Sequence, residues 1–320
     1  MTDLLKIAAV VVTYNRKELL KECLDALLAQ TRPVDSIILM DNASTDGTPE
    51  FLEKMGYLSN PVIDYVRLPE NTGGAGGFHY GIKRGYEKGF DWLWLMDDDA
   101  EPMEDSLELL LIGGQAINDE NIGALASVVI DNNGNICNTC RGNFGFNRWN
   151  LIQTPLPPES YKMNNKIKIE FASFVGILIS RNVIQRIGFP DAKFFIYHDD
   201  VEYCYRINQV SSLYLINKSF ILHKITKNKD YDIKNILYFN FKRTSLKKFI
   251  LQNIGIRNVI YLNIKYKRNI NILKIMFSLL KRSAGVILFD KNKIKRTLII
   301  WKAFFDGIRG RFDNSIIFKN

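Results

Sequence analysis

The stretch Trp92-Leu93-Trp94-Leu95-Met96-Asp97-Asp98-Asp99-Ala100 organises the reading of the whole chain. Five apolar residues run straight into three carboxylates. An apolar run of this length reads as a β-strand buried on both faces. The acids then stand at the strand's carboxyl end, where open α/β sheets hold their ligands. Taken alone, three acids read as a solvated turn. The buried strand in front of them shifts the balance, because adjacent carboxylates repel one another and are costly to desolvate without a cation. A hard divalent ion, Mg2+ or Mn2+, suits such oxygen ligands and commonly shares them with substrate phosphates.

Upstream, the β-branched run at residues 7–13 reads as a buried strand. Residues 17–30 read as a helix, with Leu20, Leu24, Leu27 and Leu28 at helical spacing. Residues 36–40 form a second strand. The turn-rich Asp41-Asn-Ala-Ser-Thr-Asp46-Gly-Thr48 then leads to a helix near Pro49, and residues 62–68 form a third strand. Strand and helix alternate as in a doubly wound α/β sheet. Next comes Asn71-Thr-Gly73-Gly74-Ala-Gly76-Gly77-Phe78, with a helix expected at residues 79–88. The glycines read either as a flexible turn or as a place where backbone meets a ligand, with phosphate favoured at the helix start. The spacing is neither GxGxxG nor a Walker A loop.

Downstream, a helix is expected at 102–111 and a strand at 123–130, followed by a hairpin turn at Asp131-Asn-Asn-Gly134-Asn. Residues 137–168, with Pro155, Pro157 and Pro158, read as an irregular, substrate-facing loop. Residues 171–179 read as one buried strand, 182–187 as a short helix and 213–216 as a short strand before His223. Between these lies a second acidic cluster, His198-Asp199-Asp200-Val-Glu202, at the start of a helix, a position that favours acids on electrostatic grounds alone. From residue 232 onward, apolar and basic residues interleave as two to four amphipathic helices.

The bulk properties bound the function. A chain of 320 residues with 47% hydrophobic content can hold one large α/β domain and an appendage. Residues 1–220 carry 20 Lys+Arg against 29 Asp+Glu, a net of −9, whereas residues 221–320 carry 23 against 5, a net of +18. The division expected is a catalytic domain at 1–228 and a basic helical region at 229–320, suited to an anionic membrane surface or to packing on the body. Neither a signal peptide nor an apolar run of about 18 residues is found, so no membrane-spanning helix is expected. Four cysteines, with one isolated CxxC at Cys137 and Cys140, indicate a reducing compartment rather than a disulfide framework.

The motifs Val10-Val-Val-Thr13-Tyr-Asn-Arg16, Asp41-Asn-Ala-Ser-Thr-Asp46-Gly-Thr48 and Asp97-Asp98-Asp99, in this order, resemble family 2 glycosyltransferases with a GT-A fold. The Asn71–Phe78 and His198–Tyr203 features resemble the galactofuranosyltransferase branch, which is similar to rhamnosyltransferases. The resemblance implies inverting transfer of a hexose, foremost galactofuranose from UDP-galactofuranose, to a lipid-linked glycan in bacterial surface polysaccharide synthesis. It implies that Asp41 contacts uracil and that Thr13, Arg16 and Asp98 lie at the nucleotide and diphosphate. Asn71 and the Gly73-Gly74 backbone would line the donor pocket, and Asp97, Asp99 and His223 would hold Mn2+ or Mg2+. Asp200 falls at the position of the base, with Asp199 and Glu202 positioning the acceptor and His198 beside it. A histidine at this point departs from some relatives and leaves acceptor identity open. The expected setting is cytoplasmic, peripheral on the inner face of the membrane, with an oligomer possible and no nucleic-acid partner.

Three alternatives stay in view. A dTDP-rhamnose donor would use the same machinery. A nucleotidyltransferase would use a basic, glycine-rich loop near the amino terminus, and Val12-Thr-Tyr-Asn-Arg16 has no glycine. A nucleic-acid module in the basic tail lacks any helix-turn-helix, zinc-finger or RNP pattern.

Overall fold

The computed structural model describes residues 5–147, 150–163, 165–224, 231–236, 239–266 and 272–314. The chain divides into two compact units: Met1–Phe144 with Gln153–Phe195 and Asp199–Ile225, and Gly145–Ile152 with Ile196–His198 and Thr226–Asn320.

The first unit opens as an alternating α/β chain: β1 (Ile7–Thr13), α1 (Lys17–Leu28), β2 (Ser36–Asp41), α2 (Thr48–Lys54), β3 (Ile63–Arg67), α3 (Gly73–Glu87) and β4 (Trp92–Asp97). The chain continues through β5 (Ala100–Pro102), α4 (Ser106–Gln115), β6 (Ile122–Ile130), β7 (Arg141–Asn147), β8 (Asn150–Pro155), α5 (Ser160–Met163), β9 (Lys166–Ile169), β10 (Phe171–Ala172), β11 (Ile177–Ser180), α6 (Arg181–Ile187), α7 (Asp199–Val210) and β12 (Ser212–His223), with residues 145–152 of β7 and β8 belonging to the second unit. The main sheet runs β3-β2-β1-β4-β11-β6-β12-β5, with β9 also on β12. Strands β1 to β4 are parallel, and β11 enters antiparallel between β4 and β6. Every residue of β1 and β2 is buried, as the β-branched runs imply. Helix α1 sends Leu20, Leu24 and Leu27 into that core, while Leu28 faces solvent.

Three local expectations are corrected. Residues 137–168 are not irregular: β7 and β8 join β10 in a three-stranded sheet and β9 joins the main sheet. Pro155 ends β8, and Pro157 and Pro158 fall between it and α5, so the prolines punctuate elements. The 171–179 strand is two strands, parted where Gly176 adopts φ +78° with Ile221 too close for any Cβ. His223 closes the same twelve-residue strand, β12, that begins at Ser212.

Helix α3 begins six residues before the expected start, so the glycine cluster forms its first turns. Built onto Gly77, Gly81 and Gly85, a Cβ would come 2.4 Å from Val12, 2.4 Å from Val10 and 2.5 Å from Leu93. Glycines four residues apart make one flat face, and the helix settles on the sheet at a distance no larger residue permits. Packing here overrides the low helical propensity of glycine.

The second unit holds a hairpin, β13 (Tyr231–Ile236) with β14 (Phe239–Thr244), and the helices α8 (Leu246–Lys265), α9 (Ile272–Phe289) and α10 (Lys293–Arg309). The hairpin corrects the helical reading of residues 232–243: Phe239-Asn-Phe241-Lys242 alternates with period two. Phe249, Ile250, Ile254, Leu279, Ile300 and Phe304 form the helices' shared core. Among the described residues no helix is long and apolar enough to cross a membrane.

Candidate active site

Strand register brings the chemistry to one edge of the first unit. Thr13 pairs with Asp41, and Val12 pairs with Asp97, so β1, β2 and β4 end together. Gly176 donates to the Leu95 carbonyl at 2.8 Å, placing the start of antiparallel β11 at the same edge. His223 at the end of β12 lies opposite Ala100. The edge is the carboxyl end of the parallel strands, the ligand-binding side of such sheets.

The three acids differ in environment. Asp98 is buried; it accepts from the Thr13 hydroxyl at 2.7 Å and from Arg16 Nη1 at 3.2 Å. Burial pushes its carboxyl up to about 6, against the opposing charge of Arg16. Asp99 is also buried, with Arg16 Nη1 at 2.7 Å from Oδ2 and His223 Nε2 at 3.2 Å from Oδ1. Burial alone would raise the Asp99 carboxyl, but the hydrogen bond and charge of His223, with Arg16, hold it below the usual carboxylate value. Asp97 is partly exposed, and its carboxyl is driven well up by desolvation and then by the charges of Asp99 and Asp98.

The residues expected on the donor side differ in access. Asp41 is fully buried, accepting from the Tyr65 hydroxyl at 2.8 Å and the Ser44 amide at 2.8 Å. Asn71 Oδ1 accepts from the Gly73 amide at 2.8 Å, and the Phe195 carbonyl accepts from the Ala75 amide at 3.1 Å. Protein acceptors therefore take up two N–H groups of the helix start that the sequence had offered to phosphate. Gly73, with φ +71°, lies so near Phe195 that a Cβ would fall 2.1 Å from its carbonyl oxygen, whereas the Gly74 Cβ position is open.

The second acidic cluster begins α7. Asp199 is buried, and burial followed by repulsion from Asp200 raises its carboxyl. Asp200 is partly exposed and accepts from the Val201 amide at 2.7 Å; burial raises its carboxyl too, with Arg141 pulling the other way. The backbone ahead of them is strained: Phe195, Tyr197 and His198 have φ of 67°, 65° and 67°. His198 belongs to the second unit, where with Tyr197, Gly255 and Arg282 it lines a cavity of about 410 Å³. Burial lowers its imidazole to about 4, leaving it neutral near pH 7.

Glu202, expected at the acceptor, is buried; its carboxylate accepts from Arg206 Nη2 at 2.8 Å and from Nε at 3.0 Å, and Arg206 donates onward to the Phe189 carbonyl at 2.9 Å. Through Arg206 it braces α7 against the chain after α6.

Arg141 is the residue the sequence did not announce. It is 1% exposed and donates to the carbonyls of Ser127 at 2.8 Å and Cys140 at 2.8 Å, and to Val175 at 2.5 Å. Its charge opposes the rise of the Asp200 carboxyl. A single arginine in a loop-like stretch carries no sequence signal for this.

The donor chemistry for a divalent ion is present in part. Asp99 Oδ1 and His223 Nδ1 are buried, and neither has a hydrogen-bond partner beyond the Asp99–His223 contact itself. Among the described residues no three His, Cys, Asp or Glu side chains converge on a metal position. A carboxylate and an imidazole fit an ion whose remaining ligands are water and substrate phosphate.

The family model for glycosyl transferase family 2 matches residues 8–188. The chain is 31% identical over 207 residues to galactofuranosyltransferase GlfT1 of Mycolicibacterium smegmatis, covering 63% of this chain and 65% of that one. It is also 26% identical over 251 residues to N-acetylglucosaminyl-diphospho-decaprenol L-rhamnosyltransferase of Mycobacterium tuberculosis, covering 70% and 77%. The chain spans somewhat less than two thirds of the length of the galactofuranosyltransferases it matches. Among solved structures, S. aureus TarS 1-349 in complex with UDP superposes with a TM-score of 0.54 at 12% identity, covering 99% of this chain and 75% of that one. GalNAc-T7 with UDP, GalNAc and Mn2+ gives 0.54 at 16% identity, covering 79% and 48%. The fold is that of the GT-A glycosyltransferases. With the family model matching more than half of its length and its strand-end acids drawn to one sheet edge, the chain belongs to glycosyl transferase family 2.

Proposed function

We propose that this protein is an inverting, metal-dependent hexosyltransferase that moves galactofuranose from UDP-galactofuranose onto a glycan acceptor. The observation that carries the reading is the gathering of Asp97, Asp98, Asp99, Arg16 and His223 at the carboxyl edge of the sheet, with the partly exposed Asp200 in the same unit. An acceptor hydroxyl must lose its proton as it attacks, and Asp200 is the partly exposed carboxylate of the second cluster, its proton affinity raised toward that of a useful base. Arg16, half exposed beside Asp98 and Asp99, is placed to meet the negative charge that grows on a departing diphosphate. A divalent ion held by Asp99 and His223, with Asp97 beside them, would add Lewis-acid stabilisation of that leaving group. Direct attack through one displacement inverts the anomeric centre and needs no covalent nucleophile.

Thr13, through Asp98, fixes the nucleotide side of the site, and Asn71 with Gly73-Gly74 forms its wall. Asp41 is fully buried, so contact with uracil requires the side chains that cover it to move aside. Asp199, next to Asp200, shapes the acceptor side. The galactofuranose assignment draws on the resemblance to galactofuranosyltransferases; a dTDP-rhamnose donor is the second reading, favoured by the longer coverage of the rhamnosyltransferase relative. A lipid-linked acceptor at the cytoplasmic face of a membrane suits either sugar.

The test pairs a donor screen with one substitution. UDP- and dTDP-sugars are mixed with acceptor glycans and nucleoside diphosphate release is followed. Turnover with UDP-galactofuranose is expected, and Asp200→Asn should lower kcat by about 10²- to 10⁴-fold while UDP binding by calorimetry is unchanged. Undiminished transfer by that variant rejects Asp200 as the base.

A further inference from the structure

The second unit displays a row of large apolar side chains to solvent. On α9, Leu273, Phe277, Leu280 and Leu288 are 78, 72, 53 and 64% exposed, and Ala284 continues the row between the last two. Steps of three and four residues put them on one helix face. The opposite face, with Leu279, Ser283 and Val286, is buried. Ile294 and Leu298 in the first turns of α10 are also largely exposed. Single exposed leucines need no explanation, but a row of this extent marks a surface with a partner.

Charge says which partner. From Ile272 to Phe305 the one acidic residue is Asp290, which is buried against Arg296. Lys281, Lys291, Lys293 and Lys295 are exposed in the same segment. A second copy docked through this same face would bring these lysines against their own counterparts, which like-charge repulsion opposes. An anionic bilayer meets both demands at once, offering hydrocarbon to the row and phosphate oxygens to the ammonium groups.

We propose that the outer face of α9, with the start of α10, is a membrane-docking surface that lies in the interface of an anionic bilayer. The leucines and Phe277 enter at the level of the acyl boundary, and the lysines stay among the headgroups. The surface rests on these helices alone and holds whatever the donor sugar proves to be.

The experiment is co-sedimentation of the full chain with phosphatidylcholine vesicles, with and without phosphatidylglycerol, at low salt. The protein is expected to pellet with the anionic vesicles and to stay in solution with the neutral ones. A variant carrying Phe277→Asn, Leu280→Asn and Leu288→Asn should lose about tenfold or more in partitioning, and so should a separate Lys291→Gln, Lys293→Gln, Lys295→Gln variant. Melting curves confirm folding, and the lysine set, which touches no core position, decides the matter if the apolar set fails to fold. Wild-type protein remaining in the supernatant, or a lysine variant pelleting like wild type, overturns the proposal. So does a dimer in sedimentation velocity that the apolar variant abolishes while vesicles are ignored. Vesicle binding without any glycosyl transfer would leave this surface standing and reject the function proposed above.

Discussion

Nε2 of His223 stands 3.2 Å from Oδ1 of Asp99, so the last residue of β12 and the turn after β4 meet in one ion pair. Burial works against a charged imidazole here, but hydrogen bonds with Asp99 and Cys140 and the charges of Asp99 and Asp97 raise it to about 10. Its folded pKa thus exceeds the ordinary 6.5 of an imidazole. The stabilisation this gives is complete below about 6.5 and is lost as pH rises toward about 10. In metal-free protein, Tm should therefore fall across that window, and His223→Asn should flatten the fall.

The same pair predicts the metal response. An imidazole must shed its proton to ligate, so divalent-ion affinity should rise with pH. A chelator should stop turnover and added Mn2+ or Mg2+ should restore it. The half-saturating metal concentration should rise about tenfold in His223→Ala, read from turnover against metal concentration.

Arg16 bridges two carboxylates from a half-exposed position, so its worth to stability is small, below about 1 kcal/mol. Its worth to the reaction is expected to be larger. Arg16→Ala should lower kcat by about 10²-fold with little change in Tm, measured on the same preparation.

Glu202 and Asp200 sit two residues apart and should behave oppositely. Glu202→Gln breaks a buried pair with Arg206 and should cost about 3 kcal/mol in urea unfolding, with activity per folded molecule kept. Asp200→Asn should leave unfolding little changed or improved, because burial disfavours its charge. The acid limb of the wild-type rate profile, lying above the ordinary carboxylate range, should vanish in that variant.

The glycine face of α3 gives a matched comparison. Gly77→Ala and Gly81→Ala each force a methyl to 2.4 Å from a valine and should destabilise by about 1–3 kcal/mol. Gly74→Ala meets nothing within 4 Å and should stabilise by about 0.5–1 kcal/mol. Midpoints in urea report both.

Much of this was legible before any coordinates. The apolar runs of β1, β2 and β4 could be read because both-face burial writes itself as consecutive hydrophobic residues, and the DDD acids stood out by following β4, as Asp199 and Asp200 did by following the aromatic Phe194-Phe-Ile-Tyr197. The glycine cluster misled because a turn and a flattened helix face use the same residue; only the nearness of Val10, Val12 and Leu93 separates them. Residues 137–168 were missed because short strands leave little periodicity, and the β13–β14 hairpin because its alternation is brief and runs directly into the helical pattern of α8. Arg141 was invisible since its partners are carbonyl oxygens, which every residue has. Glu202 and Arg206, four residues apart on one helix, do carry the spacing of a brace in the sequence.

The closeness of Gly73 to Phe195 has a mechanical result. The first turn of α3 and the strand of chain leading to Asp199 and Asp200 are latched by one amide and one carbonyl, with no side chain between them to absorb a shift. Whatever nudges that helix tip is passed to the chain that leads into Asp199 and Asp200, so a ligand seated at one would be felt at the other.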